Sequence, residues 1–349
     1  MRITKWLIID LVLILALVAM LSCGVSAEKL PTYQWRLGAN ETEGDFGCEY
    51  GHKFAEFLDE LSDGRMKLQV FPVGTLGDCA DMIELTMSGE LEFCPACGSW
   101  ITGFIPEASV YGLPYLLPSD WKVLIKAMNE GESFKLFKEI YAEKGLELFG
   151  WTAYGWKWWS SNKPLRTLDD FKNLKMRVMA SPILIETYKA WGANPTPMSF
   201  GEVYSGLQLG LIEGQENPLV TIYAMRFYEV QEYLMNGFHS PFCHSTVANK
   251  KFIESLPEAD RQIVYKAEKM ARDWAVFEWA IDINQECLSK MLEEKPELTY
   301  FELTPEEQEP FKELSIPVRE VYLKGKVGGK RSQEILDAVL RDVEWAKEQ

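Results

Sequence analysis

Lys175-Met176-Arg177-Val178 puts a guanidinium inside a strand-like and otherwise largely apolar run. A cation buried there is costly unless an anion meets it. The planar guanidinium of Arg177 offers two parallel donors to a carboxylate, a contact that orients its partner as well as binding it. From the residues alone, that carboxylate is either one of the chain's own many acids or a ligand. Cys94-Pro95-Ala96-Cys97 has the spacing of a thiol-disulfide oxidoreductase, which needs its nucleophilic thiolate at a helix N-terminus. Here the pair follows the strand-like Leu91-Glu92-Phe93, and no helical pattern comes after Cys97. A redox enzyme acting through Cys94 and Cys97 therefore stands as the alternative reading. The histidines His52, His239 and His244 lie near no nucleophile motif, and neither a zinc-ligand pairing nor a nucleotide-binding glycine pattern is present. The expectation is a protein that is not an enzyme and uses no cofactor or metal.

Arg177 must be held by surrounding elements. Gln34 to Leu37 reads as a strand, Phe46 to Leu61 as a helix stopped by Gly64, and Met66 to Phe71 as a second strand. Asp78 caps a helix running to Ser88, and Leu91 to Cys94 is a third strand. This alternation indicates a mixed or parallel α/β sheet. Farther on, Leu146 to Trp151 and Lys157 to Ser161 read as two strands, Lys175 to Val178 as another, and Ser181 to Trp191 as a helix. Ser199-Phe200-Gly201-Glu202 has the form of a capping box that starts a helix at Phe200. From Glu258 to Lys295 there is neither Gly nor Pro, and the run is bounded by Pro257 and Pro296. One continuous helix would be about 57 Å long at ~1.5 Å per residue, more than one small domain spans. It is expected to bridge two lobes. A strand from Thr299 to Leu303 and helices from Pro305 and from about Arg331 close the chain.

The 349 residues carry 36 Lys and Arg against 52 Asp and Glu, a net charge of -16. Sequence-independent nucleic-acid binding needs a cationic surface and is excluded. Arg2 and Lys5, an apolar run from Leu7 to Leu21, and Val25-Ser26-Ala27 form a secretory signal, residues 1–27, cut after Ala27. The run is shorter than the ~20 residues of a spanning helix, and Met20-Leu21-Ser22 makes Cys23 a weaker lipid-anchor candidate. The expected location is the periplasm. Six cysteines remain after cleavage, with their pairing open.

The combination of K-x-R-V at Lys175 to Val178, Pro195-Thr196-Pro197-Met198 through Tyr204, and Gly214-Gln215-Glu216-Asn217-Pro218, with Leu76-Gly77-Asp78 and Leu113-Pro114-Tyr115 upstream, resembles the DctP-type substrate-binding proteins of tripartite ATP-independent periplasmic (TRAP) transporters. The resemblance spans essentially the whole mature chain. It implies a two-lobed α/β periplasmic binding protein of the Venus-flytrap type, with mixed central sheets flanked by helices and a long helix shared by both lobes. Lobe I is residues 28–154 with 243–282, and lobe II is 155–242 with 283–349. It further implies that Arg177 grips a substrate carboxylate, Asn217 assists and Phe200 packs on the ligand. Lys157 is a second basic residue at the site, and Asn40 and Cys97 line the other side of the cleft. Cys97 stands where some relatives place an acid. Strand alternation sets Trp156 and Trp158 opposite Lys157 and Trp159, so that one pair walls the cleft beside the clamp. The implied ligand is a small organic acid with an apolar or aromatic body, delivered by a monomeric receptor to TRAP membrane permease subunits. A receptor that presents ligand to a sensor shares the fold and remains open.

Overall fold

The computed structural model describes residues 30–349, so the expected signal segment 1–27 and Cys23 lie outside the described residues. Nine strands among the described residues form one mixed sheet, ordered β2-β1-β3-β8-β4-β7-β5-β6 with β9 added on β8. They are β1 Tyr33–Gly38, β2 Met66–Phe71, β3 Phe93–Cys97, β4 Leu146–Ser161, β5 Lys175–Val178, β6 Asn194–Pro197, β7 Gly214–Asn217, β8 Tyr233–Asn249 and β9 Thr299–Glu302. The two strand segments expected on either side of Trp156 are a single long strand, β4. It runs through because β8, unforeseen from sequence, pairs antiparallel with it from end to end.

These two strands divide the sheet into halves. The carboxyl half of β8 and the amino half of β4 carry β3, and through it β1 and β2. The amino half of β8 and the carboxyl half of β4 carry β9 on one side and β7, β5 and β6 on the other. Between the halves, the β4–β8 register shifts between Ala153 and Trp156 and again before Trp158. Each half has its own apolar core. One gathers Leu91, Leu148, Trp151 and Val247 under the flanking helices. The other gathers Phe200, Leu207, Ile222 and Met291.

Helices α1 Phe46–Leu61 and α2 Cys79–Ser88 form where the apolar periodicity places them, and Asp78 and Asp81 complete a capping box on α2. The box expected at Ser199 is absent. Phe200–Glu202 is one turn of 3-10 helix without a side-chain cap, and the Met198 carbonyl just before it accepts from Arg177. The order continues with α3 Trp121–Glu130, α4 Glu132–Glu143 and α5 Pro182–Ala190. The Gly- and Pro-free run is helical throughout, as α6 Glu258–Trp274, a π-helical turn Ala275–Trp279 and α7 Ala280–Glu294. Its π turn lies against β4. The chain ends in α8 Pro305–Tyr322 and α9 Ser332–Lys347. Residues 332–347, which the sequence places in lobe II, pack instead on α3 and α4 of the first half. Asp342 accepts the free N–H groups of Glu132 and Ser133 at the start of α4, at 2.8 and 2.7 Å, a standard use of a carboxylate at a helix N-terminus. None of the helices among the described residues is long and apolar enough to cross a membrane.

Candidate functional site

The carboxyl ends of the parallel strands in both halves point to one crevice, the usual place for a ligand in an open α/β sheet. From the first half come Asn40 after β1, Glu41 beside it, and Cys97 at the end of β3. From the second come Arg177 in β5, Asn217 at the end of β7, and Phe200 after β6. Tyr154 and Phe242, from the segments of β4 and β8 that join the halves, complete the lining. The cavity between them is about 10 Å³, room for a single water. Admission of any larger solute requires the two sides to part.

Arg177 is 1% exposed. Its Nε and Nη2 both donate to the Met198 carbonyl, at 3.2 and 2.9 Å. Among the described residues, no carboxylate lies within 4.0 Å of this guanidinium to form an ion pair, and the buried Glu216 acts on its charge from farther away. Burial pushes its pKa down to about 10, and it stays charged at neutral pH. Asn217 sits nearby with its amide donating to Gln215 at 2.5 Å.

Glu41 supplies the opposite charge. Its Oε1 lies 2.7 Å from His244 Nε2, while its Oε2 is buried with no hydrogen-bond partner. Gly47 makes room for it, since a Cβ there would sit 2.1 Å from Oε2. The Tyr154 and Thr221 hydroxyls of the same lining are buried and lie near enough to interact with each other. Buried polar atoms in native proteins are almost always satisfied, and the Glu41 oxygen departs from that rule.

The other expected residues divide. Asn40 lines the cavity, but its side chain is spent on the first half, donating to the Cys79 carbonyl at 3.2 Å and accepting from Cys97 N–H at 3.0 Å. It positions the wall. Cys97 lines the cavity, and its sulfur is 3.8 Å from that of Met179 in the opposite half. Lys157 lines a neighbouring crevice with Cys97, and its ammonium is held by Glu216 at 3.2 Å. Glu216 also accepts from Tyr188 at 2.6 Å and meets His239 at 2.8 Å. Burial raises the Glu216 pKa, but the Lys157 charge and the hydrogen bonds from His239 and Tyr188 outweigh it and hold the group at about 2. Lys157 is thus neutralised by a buried acid and is not a free second cation. Trp156 does not line this cavity. It faces another, with Trp158, Trp121 and Phe238, so the alternation that sets Trp156 and Trp158 on one face and Lys157 on the other holds, but neither tryptophan walls the clamp. Trp159 is core, stacked on His239.

Sequence reasoning missed Glu41, Trp100, Tyr154 and Phe242. Glu41 reads as one acid in a polar loop, and only the glycine at position 47 marks the space it needs. The Cys94 and Cys97 thiols are buried in a strand, and burial raises both pKa values, that of Cys97 to about 12. A thiolate nucleophile is disfavoured at either position, and all six described cysteines are free thiols.

Residues 38–325 match the family described as DctP, bacterial extracellular solute-binding protein, family 7. The ectoine/5-hydroxyectoine-binding periplasmic protein UehA of Ruegeria pomeroyi is 38% identical over 290 residues, 83% of this chain and 85% of that protein. The ectoine-binding periplasmic protein TeaA of Halomonas elongata is 35% identical over 310 residues, 88% of this chain and 89% of its own length. A solved structure of the Halomonas elongata ectoine-binding protein superimposes with a TM-score of 0.85, covering 90% of this chain and 100% of that one at 35% identity.

Proposed function

This chain belongs to the DctP family of extracellular solute-binding proteins, and from that premise we propose that it is the periplasmic receptor of a TRAP transporter for a compact zwitterion of the ectoine class. The solute's carboxylate meets Arg177 and Asn217, and its cationic end meets Glu41. One observation carries this reading: a buried arginine with no carboxylate at ion-pair distance and a glutamate with one buried, undonated oxygen line the same cavity from opposite halves of the sheet. A simple organic acid would use the first and strand the second. Phe200, Phe242 and Tyr154 supply the apolar walls that the sequence sought in the tryptophans.

Binding joins the two halves, so the solute favours the closed arrangement by contacting it more fully than the open one. The closed receptor then hands its solute to the membrane subunits. Calorimetry tests the assignment. Ectoine is expected to bind the parent protein. Arg177→Ala is expected to lose about 2–5 kcal/mol, much of it from removing one partner of a buried charged contact. Glu41→Gln is expected to weaken ectoine strongly while leaving orotate or succinate no worse. Binding of those two acids tighter than ectoine in the parent protein would overturn the zwitterion assignment, and near-normal affinity in Arg177→Ala would overturn the clamp.

A further inference from the structure

A second cavity, of about 400 Å³, opens where β4 and β8 pass from one half-sheet to the other, within the size range of small-molecule sites. Trp121, Trp156 and Phe238 form its aromatic wall. The Trp121 and Trp156 rings lie 5.9 Å apart at 53°, and Trp156 and Phe238 lie 5.6 Å apart at 75°. Neither pair is stacked face to face. At the edge stands Glu302, exposed, with Oε1 accepting from Asn236 at 3.3 Å. Among the described residues no Lys, Arg or His lies within 4.0 Å of its carboxylate as an ion-pair partner.

Three departures from regular backbone meet here. Phe238 adopts a φ of 51°, rare for a bulky residue. It is held there by its N–H donating to Asn236 and by Tyr115, which donates to Gly237 and His239 on either side. The β4–β8 ladder slips on both sides of Trp156. The π turn of the long helix contributes Val276 to the lining. Bulges and strained residues of these kinds concentrate at functional sites.

We propose that this cavity is a second ligand site, taking a small organic cation of the quaternary-ammonium kind against Trp121, Trp156 and Phe238 with Glu302 as its counter-charge. Aromatic faces attract such cations through the ring quadrupole, and a nearby carboxylate selects them over neutral solutes of the same shape. The site is distinct from the clamp but shares one residue with it. Tyr154 lines both cavities. Its carbonyl accepts from Asn284 at 2.6 Å on the second site's side, while its ring stacks on Phe46, 4.4 Å between centroids. A cation held here bears on the strand segment between the halves, so it changes clamp affinity, and a clamp solute changes cation affinity by the same factor.

Tetramethylammonium chloride is the probe, titrated into the full chain with sodium chloride of matched concentration as the blank and followed by tryptophan fluorescence and calorimetry. Saturable binding is expected in the parent protein and in Arg177→Ala. Trp121→Ala and Glu302→Gln are each expected to weaken it about tenfold, with Trp121→Phe recovering part of the loss and melting curves confirming that each variant is folded. A probe no different from sodium chloride, an affinity unchanged in Trp121→Ala, or binding abolished by Arg177→Ala would each overturn the proposal. The last of these would place the cation in the clamp, and none depends on which solute the clamp takes.

Discussion

Arg177 and Glu41 bring opposite charges into one cavity from opposite half-sheets, and neither neutralises the other. The arginine was legible in the sequence because a guanidinium in an apolar strand demands an anion wherever it lies. The glutamate was not, because nothing local separates a buried acid in a polar loop from a solvated one. Its neighbour Asp45 shows what the concentration of acids costs. Asp45 caps α1 by accepting from Phe46 N–H at 2.7 Å, and its buried carboxyl also lies beside the Thr221 hydroxyl. Burial, reinforced by the Glu41 charge, raises its pKa from 3.8 to about 8. Below 3.8 the folded and unfolded chains both hold this proton. Between 3.8 and about 8 only the folded chain does, so the group's contribution to stability falls steadily as pH rises across that window. Asp45→Asn keeps the capping oxygen and removes the titration. Its melting temperature is expected to match the parent's near pH 4 and to exceed it increasingly toward pH 8, by about 2 °C per kcal/mol. Parallel melting curves over that range, recorded without solute, would sink the argument.

At the scale of elements, what could be read from sequence was what is local. Helices α1 and α2, strands β1 and β2, and the long helix all follow from apolar periodicity and end residues, and they form at those places. β8 escaped because Gly237 and Pro241 interrupt it, and because it is held by pairing with strands far away in sequence. β4 was divided for the same reason, since its continuity comes from β8. Gly237 interrupts β8 for a reason visible only in the packed structure. The ring of buried Trp159 passes so close that a Cβ would lie 2.3 Å from it. Trp159 cannot retreat, being wedged among Phe171, Trp191 and His239 and bonded through Nε1 to Tyr188. Gly237→Ala is therefore expected to cost about 1–3 kcal/mol of stability, the usual range for overpacking. Urea denaturation at constant m-value measures it, and an unchanged midpoint would mean that the joint between the halves yields more easily than its packing implies.

For the whole molecule, the net charge of -16 repels any anion, but a zwitterion approaches with no net charge, and distant carboxylates are screened beyond ~8 Å at physiological salt. Recognition then rests on closure of the halves around the two buried charges. Closure can be trapped. Cys97 ends β3 in the first half, Met179 follows β5 in the second, and their sulfurs are 3.8 Å apart. Met179→Cys would place a second thiol across the cleft from Cys97, set back from the present methionine sulfur, so a disulfide forms only when closure brings the two Cβ atoms within roughly 3.5–4.5 Å. If solute binding draws the halves together, mild oxidation should close this bridge faster with ectoine present than without, read by intact mass as the loss of two hydrogens. The oxidised protein should then release its solute more slowly, and adding Cys97→Ser should remove the bridge to position 97. The neighbouring thiols Cys79 and Cys94 belong to the first half, so a bridge to either would also cross the cleft, and peptide mapping tells them apart. A bridge that forms equally fast with and without solute would mean that the closed arrangement is the resting state. Binding would then have to begin from its rare openings.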